Sequence, residues 1–272
     1  MQSMQGGMSL RAKALGALSA LLLILLSMPS EAADPASAPA LDGYAEVLKS
    51  HTRAVSDLQG TAVDYVALQK DPRWKAVLAS LERSKPDALP SADAKLAFWI
   101  NAYNVLAIQT VLRNYPLESI RDVGSFFSPV WKREAGKIDG KPITLDQIEH
   151  QILRPMSDPR MHAAIVCASR SCPSLRREPY TAAGVSAQLD DSMRRFLTDP
   201  RKGLALDAKA GRLRLSSIFK WFAEDFDAKG GVVAFVARYA PADVRSWLGS
   251  HPKPKLEYFD YDWRLNGIEA PR

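Results

Sequence analysis

A long uncharged stretch near the middle of the chain predicts a buried helix. No charged residue occurs between Leu96 and Leu112, and apolar side chains occupy nearly every position around the helical wheel. A helix that is apolar on all sides belongs in the centre of a fold. Ser91 is a favoured N-cap residue and Pro116 cannot continue a helix, so the predicted helix begins at Ser91 and ends near Asn114.

Amphipathic stretches on both sides of this helix predict further helices. Apolar residues recur there at helical spacing in six segments. The predicted helices cover residues 41–58, 72–83, 145–153, 181–197, 232–239 and 241–248. Thr144 and Gln147 form a capping box, which supports a helix start at that point.

Strands are predicted mainly in the second half of the chain. Asp139-Gly140 separates the short runs 131–138 and 141–143 and is typical of a type I′ hairpin turn. The apolar run at 161–168 predicts a buried strand. Further short strands are predicted at 204–206, 213–215 and 256–261. Because helices come mostly first and strands mostly later, we expect an α+β fold with a central buried helix, surrounding helices and a small, mostly antiparallel sheet.

The beginning of the chain has the pattern of a secretory signal. Arg11 and Lys13 precede an uncharged apolar run at 14–26, and Ser30 and Ala32 are small residues at the positions that a cut after Ala32 requires. The apolar run is shorter than the roughly 20 residues that a membrane span needs. We therefore expect a cleaved signal peptide with no membrane span left after cleavage, and a periplasmic or secreted protein.

The domain organisation follows from this pattern. Residues 1–32 are the predicted signal peptide, and 33–40 are a predicted flexible leader rich in Ala, Pro, Asp and Ser. Residues 41–272 are expected to form a single compact domain, since no repeat or second linker interrupts them.

Composition excludes several classes of protein. Of the 272 residues 47% are hydrophobic and 24% are charged, which is ordinary for a globular protein. The net charge of +6 is small, and the basic residues come in pairs rather than runs, so no nucleic-acid partner is expected. Two Cys and four His, without a CxxC pair, indicate neither a disulfide scaffold nor a metal site. No cofactor is expected.

The end of the predicted strand and the loop that follows it hold the two cysteines, Cys167 and Cys172, among small polar residues. In an oxidising compartment the two could form a disulfide, worth about 2 kcal/mol for so short a loop. Alternatively one of them is a thiolate nucleophile, which needs a base and a third group that orients the base. A redox or metal-handling thiol is a further alternative.

Two histidines are candidates for that base. His150 points about 140° away from the apolar face of its predicted helix, so it is either a solvated histidine or an available base. His162 precedes Cys167 by five residues, and in a regular strand the two would face opposite sides. His162 is therefore the weaker candidate.

Two amides of the central helix, Asn101 and Asn104, lie on one side of it. Buried amides need hydrogen-bond partners. They either bind the backbone of a loop and hold the core together, or one of them orients a catalytic side chain.

Several motifs in fixed order give the chain a family resemblance. They are AFWINAYN at 97–104, IEH at 148–150, ILR at 152–154, CASRSCP at 167–173, YT at 180–181, IFKW at 218–221 and EDF at 224–226. In these motifs the chain resembles the uncharacterised family catalogued as domain of unknown function 547 (DUF547). The resemblance implies that plant relatives often carry Ser at the position of Cys172 and keep the first Cys, which favours Cys167 as the functional thiol.

The ingredients Asn, His and Cys are also similar to those of papain-like thiol hydrolases, whose order is Cys, His, Asn, so kinship would require a permuted arrangement. The favoured hypothesis is an exported thiol-dependent hydrolase or acyl/amide transferase. Cys167 would be the nucleophile, His150 the base, and Asn101 or Asn104 the orienting or oxyanion group. Ser169, Arg170 and Ser171 would line the substrate loop. An envelope peptide or peptidoglycan-like substrate is suggested by location alone. The alternative is a non-catalytic envelope protein with a Cys167–Cys172 disulfide.

Overall fold

Eight α-helices account for most of the regular structure. The computed structural model describes Leu41 and residues 43–268. The helices in this part of the chain are α1 (Tyr44–His51), α2 (Tyr65–Leu68), α3 (Arg73–Arg83), α4 (Ala92–Asn114), α5 (Val185–Thr198), α6 (Ile218–Trp221), α7 (Gly231–Tyr239) and α8 (Ala242–Ser250). Short 3₁₀ turns and one wide turn of π type, Gln147–Leu153, lie between them.

The strands among the described residues form three small sheets. They are β1 (Thr52–Ala54), β2 (Thr61–Val63), β3 (Glu134–Ile138), β4 (Lys141–Thr144), β5 (Leu204–Asp207), β6 (Arg212–Leu215) and β7 (Lys255–Tyr258). The pairs β1–β2, β3–β4 and β5–β6 are antiparallel, and β7 adds to β6 in parallel. The predicted α+β class and the mostly antiparallel pairing are confirmed, with the strands divided among three sheets.

Helix α4 is the centre of the larger of two apolar cores. It begins where predicted, because the Ser91 hydroxyl accepts a hydrogen bond of 3.1 Å from the Ala94 backbone N–H. Most of its side chains are buried. Strand β3 packs closely on it at Gly136, where a Cβ atom would lie 2.5 Å from Leu106 Cδ2. The buried central helix is confirmed.

A second core joins α5, α7 and α8 to the sheet of β5, β6 and β7. It is built from large aromatic residues, among them Phe219, Phe226 and Phe235, which are almost fully buried. Tyr261, in the extended chain after β7, packs against both cores. The candidate site lies around this tyrosine.

The predicted hairpin is present. Asp139 and Gly140 have φ values of 51° and 69°, as a type I′ turn requires, and they join β3 to β4. Gly140 also donates its backbone N–H to the Glu82 carbonyl at 3.0 Å, which ties the turn to the end of α3.

The prediction of a buried strand at 161–168 is wrong. Asp158 accepts a hydrogen bond from the Arg160 N–H, and Pro159 occupies the first position of the 3₁₀ helix Pro159–Ala163. The following residues are not paired with a strand. Their backbone groups instead bind a side chain, because Asn104 donates to the Ala164 carbonyl at 3.0 Å and accepts from the Val166 N–H at 2.8 Å.

The predicted first helix is also too long. It spans only Tyr44–His51, after which β1 pairs with β2. The predicted signal peptide and leader, 1–40, lie outside the described residues. No helix in the described part of the chain is both long and apolar enough to cross a membrane.

Candidate functional site

A cavity of about 310 Å³ adjoins both cysteines. Half of its lining residues are aromatic, which makes it suited to apolar or aromatic groups of a ligand. The rings are those of Tyr103, Trp131, Trp221, Phe222, Tyr261 and Trp263. Four chemically reactive side chains interrupt this wall: Glu149, His162, Cys167 and Cys172. We call it the sulfur cavity.

The two cysteines form a disulfide. Cys172 is 2% exposed, whereas Cys167 is only partly buried. In this structure the two cysteines are therefore in the disulfide-bonded state, which was one of the alternatives considered from the sequence. While the bond is intact, neither sulfur can act as a nucleophile.

Cys172 Sγ lies among several hydrogen-bond donors. The Cys167 backbone N–H donates to it at 3.1 Å and the Tyr261 hydroxyl at 3.2 Å, and the Ser169 hydroxyl lies 3.2 Å away. Burial raises the pKa of Tyr261, so its hydroxyl stays protonated and can donate. Donors around a sulfur stabilise its thiolate, so Cys172 is placed to carry negative charge once the disulfide opens.

Glu149 is a partly buried carboxyl group in the wall of the sulfur cavity. It comes from the wide turn Gln147–Leu153, and the Tyr103 hydroxyl donates to it at 3.2 Å. Burial raises the pKa of Glu149 to about 7, and the hydrogen bond from Tyr103 offsets only part of this rise. Glu149 can therefore gain or lose a proton near neutral pH.

His162 is the histidine of the sulfur cavity. Its ring stacks on Phe222 at 4.3 Å, and Nε2 lies 2.7 Å from an Asp225 carboxylate oxygen. Burial lowers the pKa of His162, more than the Asp225 hydrogen bond raises it, so the neutral ring donates Nε2–H to the carboxylate. Burial alone would raise the pKa of Asp225, but hydrogen bonds from His162 and Arg154 lower it.

His150 does not line the sulfur cavity. Its Nδ1 lies 3.0 Å from an Arg154 nitrogen, and its Nε2 is 4.0 Å from Asp146. The structure therefore brings His162 rather than His150 to the cavity of Cys167. The expectation that His162 and Cys167 face opposite sides fails because they are not on a strand.

Both predicted asparagines bind backbone. Asn104 holds Ala164 and Val166, and Asn101 forms the same kind of pair with the N–H and carbonyl of Tyr180, at 2.9 and 2.8 Å. All four hydrogen bonds are buried. The geometry matches the role of holding loops to the core, one of the two roles considered from the sequence.

The predicted substrate-binding residues are anchored within the Cys loop and outside the cavity lining. Ser169 faces the sulfurs, and Ser171 accepts a hydrogen bond from the Asp262 N–H at 2.9 Å. Arg170 forms ion pairs with Asp57 and Asp262 at 3.1 and 3.8 Å. These contacts fix the shape of the loop.

Lys202, which follows α5 in the chain, is buried and supports the same loop. Its Nζ donates to the Cys172 carbonyl at 2.7 Å and to the Gln59 carbonyl at 3.1 Å. Burial lowers its pKa to about 8.

No group of three or more His, Cys, Asp or Glu side chains in the described part of the chain could hold a metal ion.

Residues 86–197 match the family model described as "Protein of unknown function, DUF547". This segment is similar to the DUF547 family. The family resemblance predicted from the motifs is thereby confirmed over these residues. No curated protein and no solved structure matches the chain.

The DUF547 segment contains Tyr103, Glu149, His162 and the disulfide, whereas the aromatic residues from 218 onward lie beyond it. His150 was predicted from the sequence, and the preceding Glu149 was not. A signal was available, because Glu149 is four residues after Leu145 and three before Ile152, so it lies on the apolar face of the predicted helix. A carboxylate on a buried face is a candidate for a raised pKa.

Proposed function

We propose that this chain is an exported thiol–disulfide exchange protein whose reactive group is the Cys167–Cys172 disulfide. The observation that carries the proposal is the position of the bond: both sulfurs lie in the wall of a cavity large enough for a ligand. A disulfide that only fastens a loop gains nothing from such a cavity or from a carboxyl group with a pKa of about 7 in the same cavity wall.

The exchange begins at the more exposed sulfur. A substrate thiol gives its proton to the Glu149 carboxylate, and the resulting thiolate attacks Cys167 Sγ. A substrate–Cys167 disulfide forms while the Cys167–Cys172 bond breaks, and Cys172 leaves as a thiolate. The N–H and hydroxyl donors around Cys172 stabilise the negative charge on the leaving sulfur.

The second step completes the transfer of two electrons. A second substrate thiolate attacks the substrate sulfur of the mixed disulfide, and Cys167 leaves. The substrate dithiol has then been oxidised to a disulfide, and the Cys167–Cys172 pair has been reduced to two thiols. The reverse sequence reduces a substrate disulfide.

Trapping of the mixed disulfide tests this proposal. In Cys172→Ser the free Cys167 cannot close its own bond, so oxidised glutathione should leave a stable adduct at Cys167, visible in the intact mass. Cys167→Ser, whose remaining thiol is buried, should react far more slowly. If the native disulfide resists dithiothreitol until the protein unfolds, the bond is a structural crosslink and the proposal is wrong.

Thiol-dependent hydrolysis or acyl transfer is the second candidate, and the His162–Asp225 pair favours it. Once the disulfide is reduced, Cys167 shares its cavity with a histidine that a carboxylate orients, the composition that an activated thiol nucleophile needs. The substrate class would be an amide or ester of an envelope peptide or of a peptidoglycan-like polymer.

Acylation of the reduced protein tests this second candidate. An activated peptide ester should add an acyl group to Cys167, detectable by mass, and His162→Ala should abolish the addition. His150→Ala is the matched comparison, because His150 is the base that the sequence favoured. A reduced protein that gains no acyl group excludes the hydrolase and transferase reactions.

A further inference from the structure

A larger open groove continues from the sulfur cavity. It has a volume of about 760 Å³, and it shares Trp131 and Trp263 with the cavity. Ser119 and Arg121 add polar groups to its wall, and Phe126 stands at its edge. Because Trp131 and Trp263 line both spaces, the cavity and the groove adjoin each other.

The groove ends at a turn that presents two phenylalanines to solvent. Phe126 and Phe127 are 92% and 94% exposed. The turn is closed by two reciprocal backbone hydrogen bonds between Ser125 and Ser128, of 3.0 and 3.2 Å. Large apolar side chains held in water by a closed turn are unfavourable on their own and mark an interaction site.

The charges around this turn do not match a membrane surface. Residues 118–134 contain three basic and three acidic side chains, so their net charge is zero (3 − 3). Binding to an anionic lipid surface instead relies on a basic excess. The Arg121 guanidinium lies over the Trp263 ring at 5.1 Å. The wall of the groove therefore combines aromatic faces with hydrogen-bonding groups. Such a wall suits a peptide, which offers apolar side chains and backbone amides together.

We propose that the groove binds an extended peptide segment of a substrate protein, with an apolar side chain against Phe126 and a cysteine of the same segment in the sulfur cavity. This inference rests on the proposed exchange function and names its substrate class. A small thiol fills only the cavity of about 310 Å³. A peptide segment uses the groove as well, and binding there raises the rate of exchange.

Exchange rates with two thiols test the inference. The probes are glutathione and a short peptide in which Leu and Phe flank one cysteine. Replacing both phenylalanines (Phe126→Ser with Phe127→Ser) should lower kcat/KM for the peptide about tenfold, the effect expected for losing one buried phenyl ring, and leave the rate with glutathione unchanged. The control is Val66→Ser, an exposed apolar residue outside both spaces, which should change neither rate.

A binding measurement separates this inference from the proposed function. The same peptide with Ser in place of its cysteine cannot exchange, and its binding should change the fluorescence of the native protein but not that of the double Phe variant. If neither thiol exchanges but this peptide binds, the exchange function is wrong and the groove stands. If the double variant lowers both exchange rates equally, leaves peptide binding intact, or only changes the oligomeric state, the peptide groove is wrong.

Discussion

Glu149 is the residue whose environment should most clearly make the stability of the protein depend on pH. Its pKa is raised from 4.5 to about 7 by burial, so the folded state holds a proton that the unfolded state has released between these values. The stability that protonated Glu149 contributes is fully present below pH 4.5 and is lost as the pH rises through 7. The loss amounts to roughly 3 kcal/mol, at 1.36 kcal/mol per pKa unit.

Replacing this carboxyl by a neutral amide should remove that loss. We expect Glu149→Gln to unfold at the same urea concentration as the native protein at pH 4, and at a higher one at pH 8. The difference between the two free energies of unfolding should grow between pH 4.5 and 7 and then level off. A difference that does not change with pH would contradict the raised pKa of Glu149.

The buried amides of α4 should stabilise the folded protein. Asn104→Ala leaves the Ala164 carbonyl and the Val166 N–H without partners, which costs about 2–6 kcal/mol at 1–3 kcal/mol for each group. Urea unfolding of this variant measures the cost. The matched control is Asn114→Ala on the same helix, whose exposed side chain makes one hydrogen bond, to the Thr110 carbonyl at 2.8 Å, and should contribute about 1 kcal/mol at most. Equal effects of the two substitutions would show that the Asn104 contacts carry no energy.

Residue types in the sequence indicated which side chains deserve examination, but not which side chains they contact. The sequence marked Cys167, Cys172 and both asparagines, because rare or costly buried groups stand out in an apolar context. It did not predict the contact of His162 with Asp225, which joins residues 63 positions apart. Such a pair depends on how two cores meet, and no local spacing encodes it.

At the scale of elements, close packing between α4 and β3 depends on one glycine. A Cβ atom at Gly136 would lie 2.5 Å from Leu106 Cδ2, so the Leu106 side chain, which is 1% exposed, would have to shift within the core. Gly136→Ala should therefore destabilise the protein by about 1–3 kcal/mol. Thermal unfolding checks this, with Gly249→Ala as the control, because a Cβ atom at that position of α8 meets nothing.

A double variant identifies the cause. Leu106→Ala removes the clashing methyl groups, so Gly136→Ala should cost much less in that background than in the native protein. Additive costs would mean that Gly136 is needed for some other reason than its contact with Leu106.

Elements with strong local signals were predicted well, and those that depend on tertiary contacts were not. The bounds of α4 and the Asp139-Gly140 hairpin follow from a charge-free run, an N-cap and a turn pair. The run 161–168 is equally apolar, but an apolar run of eight residues does not distinguish a strand from other buried chain. There Pro159 begins a 3₁₀ helix, and Asn104 takes the place of a neighbouring strand.

At the scale of the whole molecule, the state of the disulfide is tied to where the protein resides. Disulfides persist in oxidising compartments and are rare in the cytosol. The predicted signal peptide at 1–32 and the Cys167–Cys172 bond therefore support one another, although they come from different parts of the chain. If export is required for the bond, removal of the signal should leave both cysteines as thiols.

Expression of two forms in a bacterium tests this link. The full chain should yield a protein that has lost its first 32 residues and contains no free thiol, whereas the form beginning at Ala33 with an added Met should retain two thiols in the cytosol. Thiol counting by alkylation and intact mass measures both properties. The oxidised form should be about 2 kcal/mol more stable to urea, as closing a loop of this length implies, and Cys167→Ser with Cys172→Ser should abolish that difference. An uncleaved chain would contradict the signal peptide, and a bond that forms equally in both compartments would contradict its dependence on export.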